Sequence, residues 1–423
     1  MNKIFNSIPL PTRAPDGEYD CGRGSYMLLW SDSSPDEFER LCGDITASGF
    51  RLFDRTDIEG SIHCTFAGKP VLHAWYCPCE RALRLTADPY TSLYNTAPER
   101  CERKYSNTLW QFEVDHSLID CGMCYIVRCC DGSFFVIDSA HMYSVNDDIR
   151  IIEFLRKLNG GEKPTVAGWF FSHGHEDHVA KFSDIVEFHS GEVDIETVYY
   201  NFPSYGHPDN EEWGECGKQV MHRFERELDK HPEIKKVRLH TGQRFFVRDL
   251  EFSVLCTHED IYPNPLSNFN DSSTAIMMTA GGCKVLFPGD CAAESDKVFL
   301  RRYHDALKCS VVQVSHHGHS GTSSEFYRRA GAECVLFPIT EIKFAEEWDK
   351  QEPNRVAVDI AKEYHIASNG TAEIPLPYSF GGTKRLPDET FEDFDGIFAL
   401  WCYEYTDEYK EKLRREFLER SKG

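Results

Sequence analysis

An apolar run that breaks into a knot of ligand-type side chains sets the strongest limit on this chain. Gly168 to Phe182 reads GWFFSHGHEDHVAKF, with His173, His175, Asp177 and His178 inside six residues. TVAGWFFS has the character of a buried strand, and HVAKFSDIVEF begins a helix. The cluster therefore lies on a strand-to-helix turn at a sheet edge, where a rigid scaffold aims side chains into one cleft. In an extended turn His173 and His175 point the same way, while Asp177 and His178 point from the helix start toward a neighbouring position. Two ligands for one metal and two for an adjacent metal is the economical reading. Two later apolar strands end in the same chemistry. KVLFPGDCA (284–292) closes on Gly289-Asp290, and VVQVSHHGHSGTSS (311–324) closes on His316, His317 and His319. A carboxylate at a strand tip behind a glycine turn is well placed to bridge two cations.

The rest of the chain supplies a scaffold in two rhythms. Up to about residue 108, a strand over SYMLLW (25–30) precedes a helix over 34–49, with Ser34 as N-cap, Pro35 in the first turn and Gly49 past the end. A meander of short strands follows, and residues 85–106 read as a connection. These predict a small N-terminal α+β domain over 1–108 without a catalytic constellation of its own: a lid, an oligomerisation surface or a partner-binding module. Residues 109–400 interleave hairpins with strand–helix units. Asp131-Gly132 marks one hairpin, and 146–161 reads as a helix closed by glycine. Two mixed sheets with helices outside is the natural packing. Residues 401–423 read as a charged, solvated helix.

Charge and cysteine usage narrow the function classes. A net charge of −23, with no Lys/Arg-rich stretch to relieve it, argues against long DNA or RNA as a routine partner. The 17 cysteines fall mostly within apolar strings such as CYIVRCC, as reduced core residues of a cytoplasmic protein do. A zinc ribbon from Cys77, Cys79, Cys121 and Cys124 is the alternative. MNKIFNSIPL lacks the apolar core of a signal peptide, and no stretch approaches the ~20 apolar residues of a membrane span.

HxHxDH after a strand, then PGD, then SHHG, resembles the metallo-β-lactamase superfamily of dinuclear metallohydrolases. The pattern is most similar to the branch of ComEC-like and phosphorylcholine-esterase-like enzymes, with Asn270-Asp271-Ser272-Ser273 before Gly289-Asp290 and His316-His317-Gly318 after it. The resemblance covers roughly residues 115–370. It implies an α/β fold, a four-layer αββα sandwich. It implies His173 and His175 on one metal, Asp177 and His178 on the second, Asp290 bridging, and one of His316 or His317 completing the second site. No clean match exists for the third ligand of the first site; Asp271 and His258 are the candidates. Asp138, closing FFVID, resembles the family's supporting strand-end carboxylate, which orients a ligating imidazole.

Imidazole and carboxylate ligands suit two divalent ions, zinc first, with manganese or iron as alternatives. The implied reaction is hydrolysis by a metal-bridging hydroxide oriented by Asp177 and Asp290, with His317 or His319 assisting the leaving group. A small phosphodiester is the expected substrate, with Tyr205, His207, His258 and Asn270 as candidate pocket residues. Lactone, amide or thioester hydrolysis on the same site is the competing enzyme reading, and a non-catalytic binding protein on a hydrolase fold is the reading from another class.

Overall fold

A computed structural model describes residues 2–117, 119–144, 146–206, 214–262, 266 and 268–387. His207 and the expected C-terminal helix over 401–423 lie outside the described residues.

Residues 17–88 form a six-stranded antiparallel sheet. Its helix, Pro35–Ala47, starts where expected: the Ser34 side chain accepts from Glu37 N, with Pro35 in the first turn. Phe38, Leu41, Cys42 and Ile45 recur at helical spacing and bury against Cys64, Phe66, Leu72, Ala74, Tyr76, Leu83 and Leu85. Leu85–Asp88, expected in the connection, instead complete the strand Ala82–Asp88 and pair with Val71–Ala74. The turn signals of Pro89 and Tyr90 end that strand rather than precede it.

Two further sheets pack face to face. One, nine-stranded, has a parallel centre: Phe134–Ile137, Thr165–Phe170, Thr197–Tyr200 and Lys235–Arg238 run side by side. The other, seven-stranded, begins with four antiparallel strands over 244–287. It continues parallel through Val311–Gln313, Cys334–Phe337 and Glu363–Ile366. Between them lies a core of Tyr125, Phe135, Ile137, Phe170 and Tyr199 from one sheet and Phe245, Phe252, Ile276, Val285 and Phe287 from the other. Gly168 makes room for it: a Cβ there would stand 2.8 Å from the Phe135 ring and 3.0 Å from the Tyr199 ring.

Helices cover both outer faces. Ile151, Phe182 and Phe224, on the helices Asp147–Leu158, Glu176–Phe188 and Gly214–Asp229, pack on the nine-stranded sheet. Phe299, Phe326 and Ala357, on Ala293–Arg302, Ser324–Ala330 and Glu352–Ile360, pack on the other. This is the expected four-layer αββα sandwich. No helix among the described residues is long and apolar enough to cross a membrane.

The first sheet docks on the sandwich through its second face, which is polar yet buried: His63, Thr65, His73, Trp75, Arg84, Thr86 and Asp88. Asp260 anchors the junction, receiving Arg84 Nη1 and Arg302 Nη1 at 2.6 Å each and Thr257 N at 2.8 Å. Trp75 lies against both guanidinium groups, 4.0 Å from Arg84 and 4.7 Å from Arg302. Burial alone would raise the Asp260 pKa, but Arg302 and Arg84 together hold it well below the usual carboxylate range.

Asp260→Ala strands the buried Arg84 guanidinium, leaves Arg302 with Glu80 alone, and is expected to cost about 3–5 kcal/mol, read as a lowered denaturant midpoint. A depressed carboxyl pKa contributes stability that is fully present above the unfolded value. The anchor is therefore expected to hold at about pH 5 and above, and to fail only as pH falls toward the depressed value. A variant with an unchanged midpoint at neutral pH would contradict this account.

Candidate metal centre

Four strand ends converge. Phe134–Ile137 and Thr165–Phe170 are a parallel pair in one sheet, and Cys283–Phe287 and Val311–Gln313 are a parallel pair in the other. Each pair therefore delivers the residues that follow its strands to one edge. Asp138 follows the first strand. His173, His175, Asp177 and His178 follow the second, with His175 the residue before the helix Glu176–Phe188. Asp290 follows Pro288-Gly289, where φ of +60° favours glycine and a Cβ would lie 2.7 Å from Ser172 Cβ. His316 and His317 follow the fourth strand in left-handed backbone, at φ +49° and +54°. Two consecutive non-glycine residues in that region are strained, and their neighbours must hold them there.

Asp177, His178, Asp290 and His317 each offer a ligand atom, all within 4.8 Å of one another, and all four are buried. His317 Nε2 is 2.8 Å from Asp177 Oδ2 and 3.2 Å from Asp290 Oδ2. His178 Nε2 is 3.2 Å from Asp290 Oδ2 and 3.5 Å from Asp177 Oδ2. The other nitrogen of each ring is committed: His178 Nδ1 to Asp138 Oδ2 at 2.8 Å, and His317 Nδ1 to the Pro338 carbonyl at 2.8 Å. Those partners take an Nδ1–H and leave each Nε2 lone pair for a cation. Asp138 is fixed in turn by Ser172, whose N and Oγ both donate to it at 2.8 Å.

The electrostatics agree with a cation site. Burial would lower the His317 pKa, yet Asp290 and Asp177 push it up to about 10. Burial would raise Asp290, yet His317 and His178 hold it well below the usual range. Asp290 Oδ1 is buried and has no hydrogen-bond partner. Two imidazoles and two carboxylates with inward Nε2 atoms and an unpartnered buried oxygen fit a divalent ion of the zinc type.

Beside this group, His173 Nε2 and His175 Nδ1 lie 2.9 Å apart, and the His173 ring is 4.2 Å from that of His178. Among the described residues the pair does not join a third donor at ligand spacing. Of the two adjacent histidines, His317 enters the four-donor group. His316 stays at the rim, with Nε2 3.1 Å from Asn270 Nδ2 and Nδ1 3.4 Å from the Ser320 carbonyl.

The structure gives the other expected residues partners outside this group. Asp271, a candidate ligand, is spent on the helix Ala293–Arg302, whose N-cap Ala292 has no side-chain acceptor. Asp271 Oδ1 receives Ala292 N and Ser295 N at 3.0 and 2.9 Å. His258 lies in the buried network near the first sheet, with Nε2 3.0 Å from Asn201 Oδ1 and 3.5 Å from Arg238 Nη2. His319, a candidate donor to the leaving group, faces Glu347 at 3.7 Å. The Tyr205 hydroxyl is bonded to Glu225 on the helix Gly214–Asp229. The zinc ribbon does not assemble: Cys77 and Cys79 are 3.3 Å apart beside Glu80, which holds Arg301 and Arg302, whereas Cys121 lies 3.8 Å from Asp177 Oδ2 and Cys124 is in the core.

Two residues stand beside the centre that the sequence did not assign to it. Cys121, read only as a zinc-ribbon candidate, is one. His141, buried with Nδ1 accepting from Tyr143 N at 2.9 Å, is the other; burial pushes its pKa down to about 4 against the pull of Asp177. The signal for His141 was its place in DSAHMYS, three residues past the supporting Asp138.

No protein-family model matches the sequence, and no curated protein matches it. Among solved structures, the chain is similar to the metallo-beta-lactamase fold protein YhfI from Bacillus subtilis, at 13% identity over 62% of this chain and 97% of that one, with a TM-score of 0.39. It is similar to unliganded yeast PDE1 at 11% identity, over 64% and 99% of the two chains, with a TM-score of 0.40. It is also similar to a diphosphatase from the PhnP family at 15% identity, over 55% and 86%, with a TM-score of 0.33. Likeness at this level says nothing of activity, which must be argued from the residues.

The geometry separates the histidines and carboxylates by experiment. His317→Ala is expected to lose bound metal and His316→Ala to keep it, measured by elemental mass spectrometry after dialysis. Asp138→Asn is expected to weaken metal affinity by about 10–100-fold in a chelator competition. Asp271→Ala is expected to keep the metal and lose about 0.5–2 kcal/mol of stability as a removed helix cap. Metal loss in Asp271→Ala with stability intact would restore it to the ligand set.

Proposed function

We propose that the chain is a metal-dependent hydrolase that cleaves a small phosphodiester. The observation that carries this reading is the convergence of Asp177, His178, Asp290 and His317, with both Nε2 atoms turned inward and Asp290 Oδ1 unpartnered. These four residues would hold one divalent ion. His173 and His175 would begin a second centre beside it, with Asp290 shared. Zinc fits the ligand types best, with manganese or iron as alternatives. A bound ion supplies a Lewis acid for the phosphoryl oxygen and lowers the pKa of the water that attacks.

The residues themselves do the positioning. Asp290 Oδ1 accepts a hydrogen bond from the attacking water and aligns it. Asp138 and the Pro338 carbonyl hold the two imidazoles in one tautomer, so that the centre needs no rearrangement during the reaction. On the rim, Asn270 Nδ2 donates to His316 Nε2 at 3.1 Å, and its second N–H would be the donor for the leaving-group oxygen. The net charge of −23 favours a small substrate over a polyanion, because approach of a long phosphate backbone is repelled at every contact.

Hydrolysis of bis(p-nitrophenyl) phosphate by the metal-loaded protein tests this. Wild type is expected to cleave it, and chelation or Asp290→Ala to abolish cleavage. Metal-loaded protein that leaves the diester intact but opens a lactone, amide or thioester would replace the phosphodiester reading. Failure to bind metal at all would leave a binding protein on a hydrolase fold.

A further inference from the structure

The polar face of the first sheet meets the sandwich at a second set of ligand-type residues. His73 and Asp88 come from adjacent strands of that sheet, and His240 follows the strand Lys235–Arg238 of the sandwich. Their ligand atoms lie within 4.8 Å of one another and all three residues are buried. His240 Nε2 is 2.5 Å from Asp88 Oδ2, and His73 Nε2 is 3.6 Å from the same oxygen. The rings of His73 and His240 are 4.0 Å apart.

Three features distinguish this group from an ordinary buried ion pair. Glu259 takes the far side of His240, with Nδ1 2.8 Å from Oε1, the carboxylate–imidazole arrangement that turns a ring's Nε2 toward a metal. His73 Nε2 and Asp88 Oδ1 are buried with no hydrogen-bond partner among the described residues, although Arg238 Nε stands 3.9 Å from Asp88 Oδ1. His63, whose ring is 5.5 Å from that of His73, is fully buried and finds no hydrogen-bond partner for either nitrogen among the described residues. The orphaned His73 Nε2 and the orphaned Asp88 Oδ1 need an occupant, and one cation satisfies both; His63 lies outside the set at ligand spacing.

We propose that His73, Asp88 and His240 hold a divalent zinc-type ion that fastens the N-terminal sheet to the sandwich, with His63 the nearest further imidazole. The ion is structural rather than hydrolytic because its three ligands are all buried at the junction of two packed units, out of reach of a substrate. Binding displaces the proton shared by His240 Nε2 and Asp88 and leaves the Nδ1–H on Glu259. Because its ligands come from both units, the site exists only when they are docked, so ion binding adds to the stability of docking.

The test removes the other centre first. Asp177→Asn/Asp290→Asn protein, purified with zinc present, is expected to retain about one zinc per chain on folding-coupled binding of this kind. Adding His73→Ala is expected to remove that zinc and lower the melting temperature. His73→Gln, which keeps the volume of the side chain, serves if the alanine variant does not fold. X-ray absorption at the zinc edge of the double variant is expected to show nitrogen and oxygen neighbours only. A folded double variant without zinc would overturn the proposal and leave His240 as an imidazolium between two carboxylates. Sulfur neighbours at the zinc edge would overturn it in favour of Cys77 and Cys79. Neither result bears on the hydrolytic centre, whose two carboxylates the double variant lacks.

Discussion

Two carboxylates that face each other in a buried place must be compensated, and much of the sandwich is organised around doing so. Asp177 and Asp290 come from different sheets and share the Nε2 atoms of His178 and His317. Neither carboxylate could remain charged at that depth alone. The compensation requires the parallel pair at 134–170 to end level with the parallel pair at 283–313, and so fixes how the two sheets are set against each other. The strained turn at His316 and His317 and the glycine at 289 follow from the same demand: without them the fourth strand and the carboxylate tip would miss the meeting point.

The centre was legible in sequence to the extent that its chemistry is local. HxHxDH, Gly289-Asp290 and the His316–His317 pair are each contiguous, and each follows an apolar strand. The choice between His316 and His317 was not legible, because it depends on a left-handed turn and on a carbonyl at Pro338. Asp271 misled for the opposite reason. Its neighbours in sequence place it near the ligands, while its partners are backbone amides at the start of a helix twenty residues on. A missing side-chain cap at Ala292 is visible in sequence; which distant acid supplies it is not.

The first sheet shows a second limit. Its alternation is regular, with Phe66, Leu72, Ala74 and Leu85 on one face and Thr65, His73, Trp75 and Arg84 on the other. Read alone, that pattern gives one buried face and one wet face. The polar face is buried because the sandwich brings matching charges to it: Asp260, Arg302, Glu259 and His240. Docking thus replaces water with fixed partners, which lets a face carrying histidine, arginine and aspartate disappear from solvent.

The spacing of the four-donor group along the chain has a consequence for how the protein comes into being. Asp138, His178, Asp290 and His317 are joined only across long stretches, and the carbonyl that fixes His317 is at residue 338. A growing polypeptide therefore carries the HxHxDH turn for more than a hundred residues of synthesis before the rest of its ligands emerge. Over that interval His178 already has Asp138 for its Nδ1, but Asp177 and the Nε2 of His178 lack Asp290 and His317. Closing so large a loop is slow relative to local folding. The four-donor group of Asp177, His178, Asp290 and His317 is thus assembled late, after the seven-stranded sheet has formed, and is not a nucleus around which the sandwich folds.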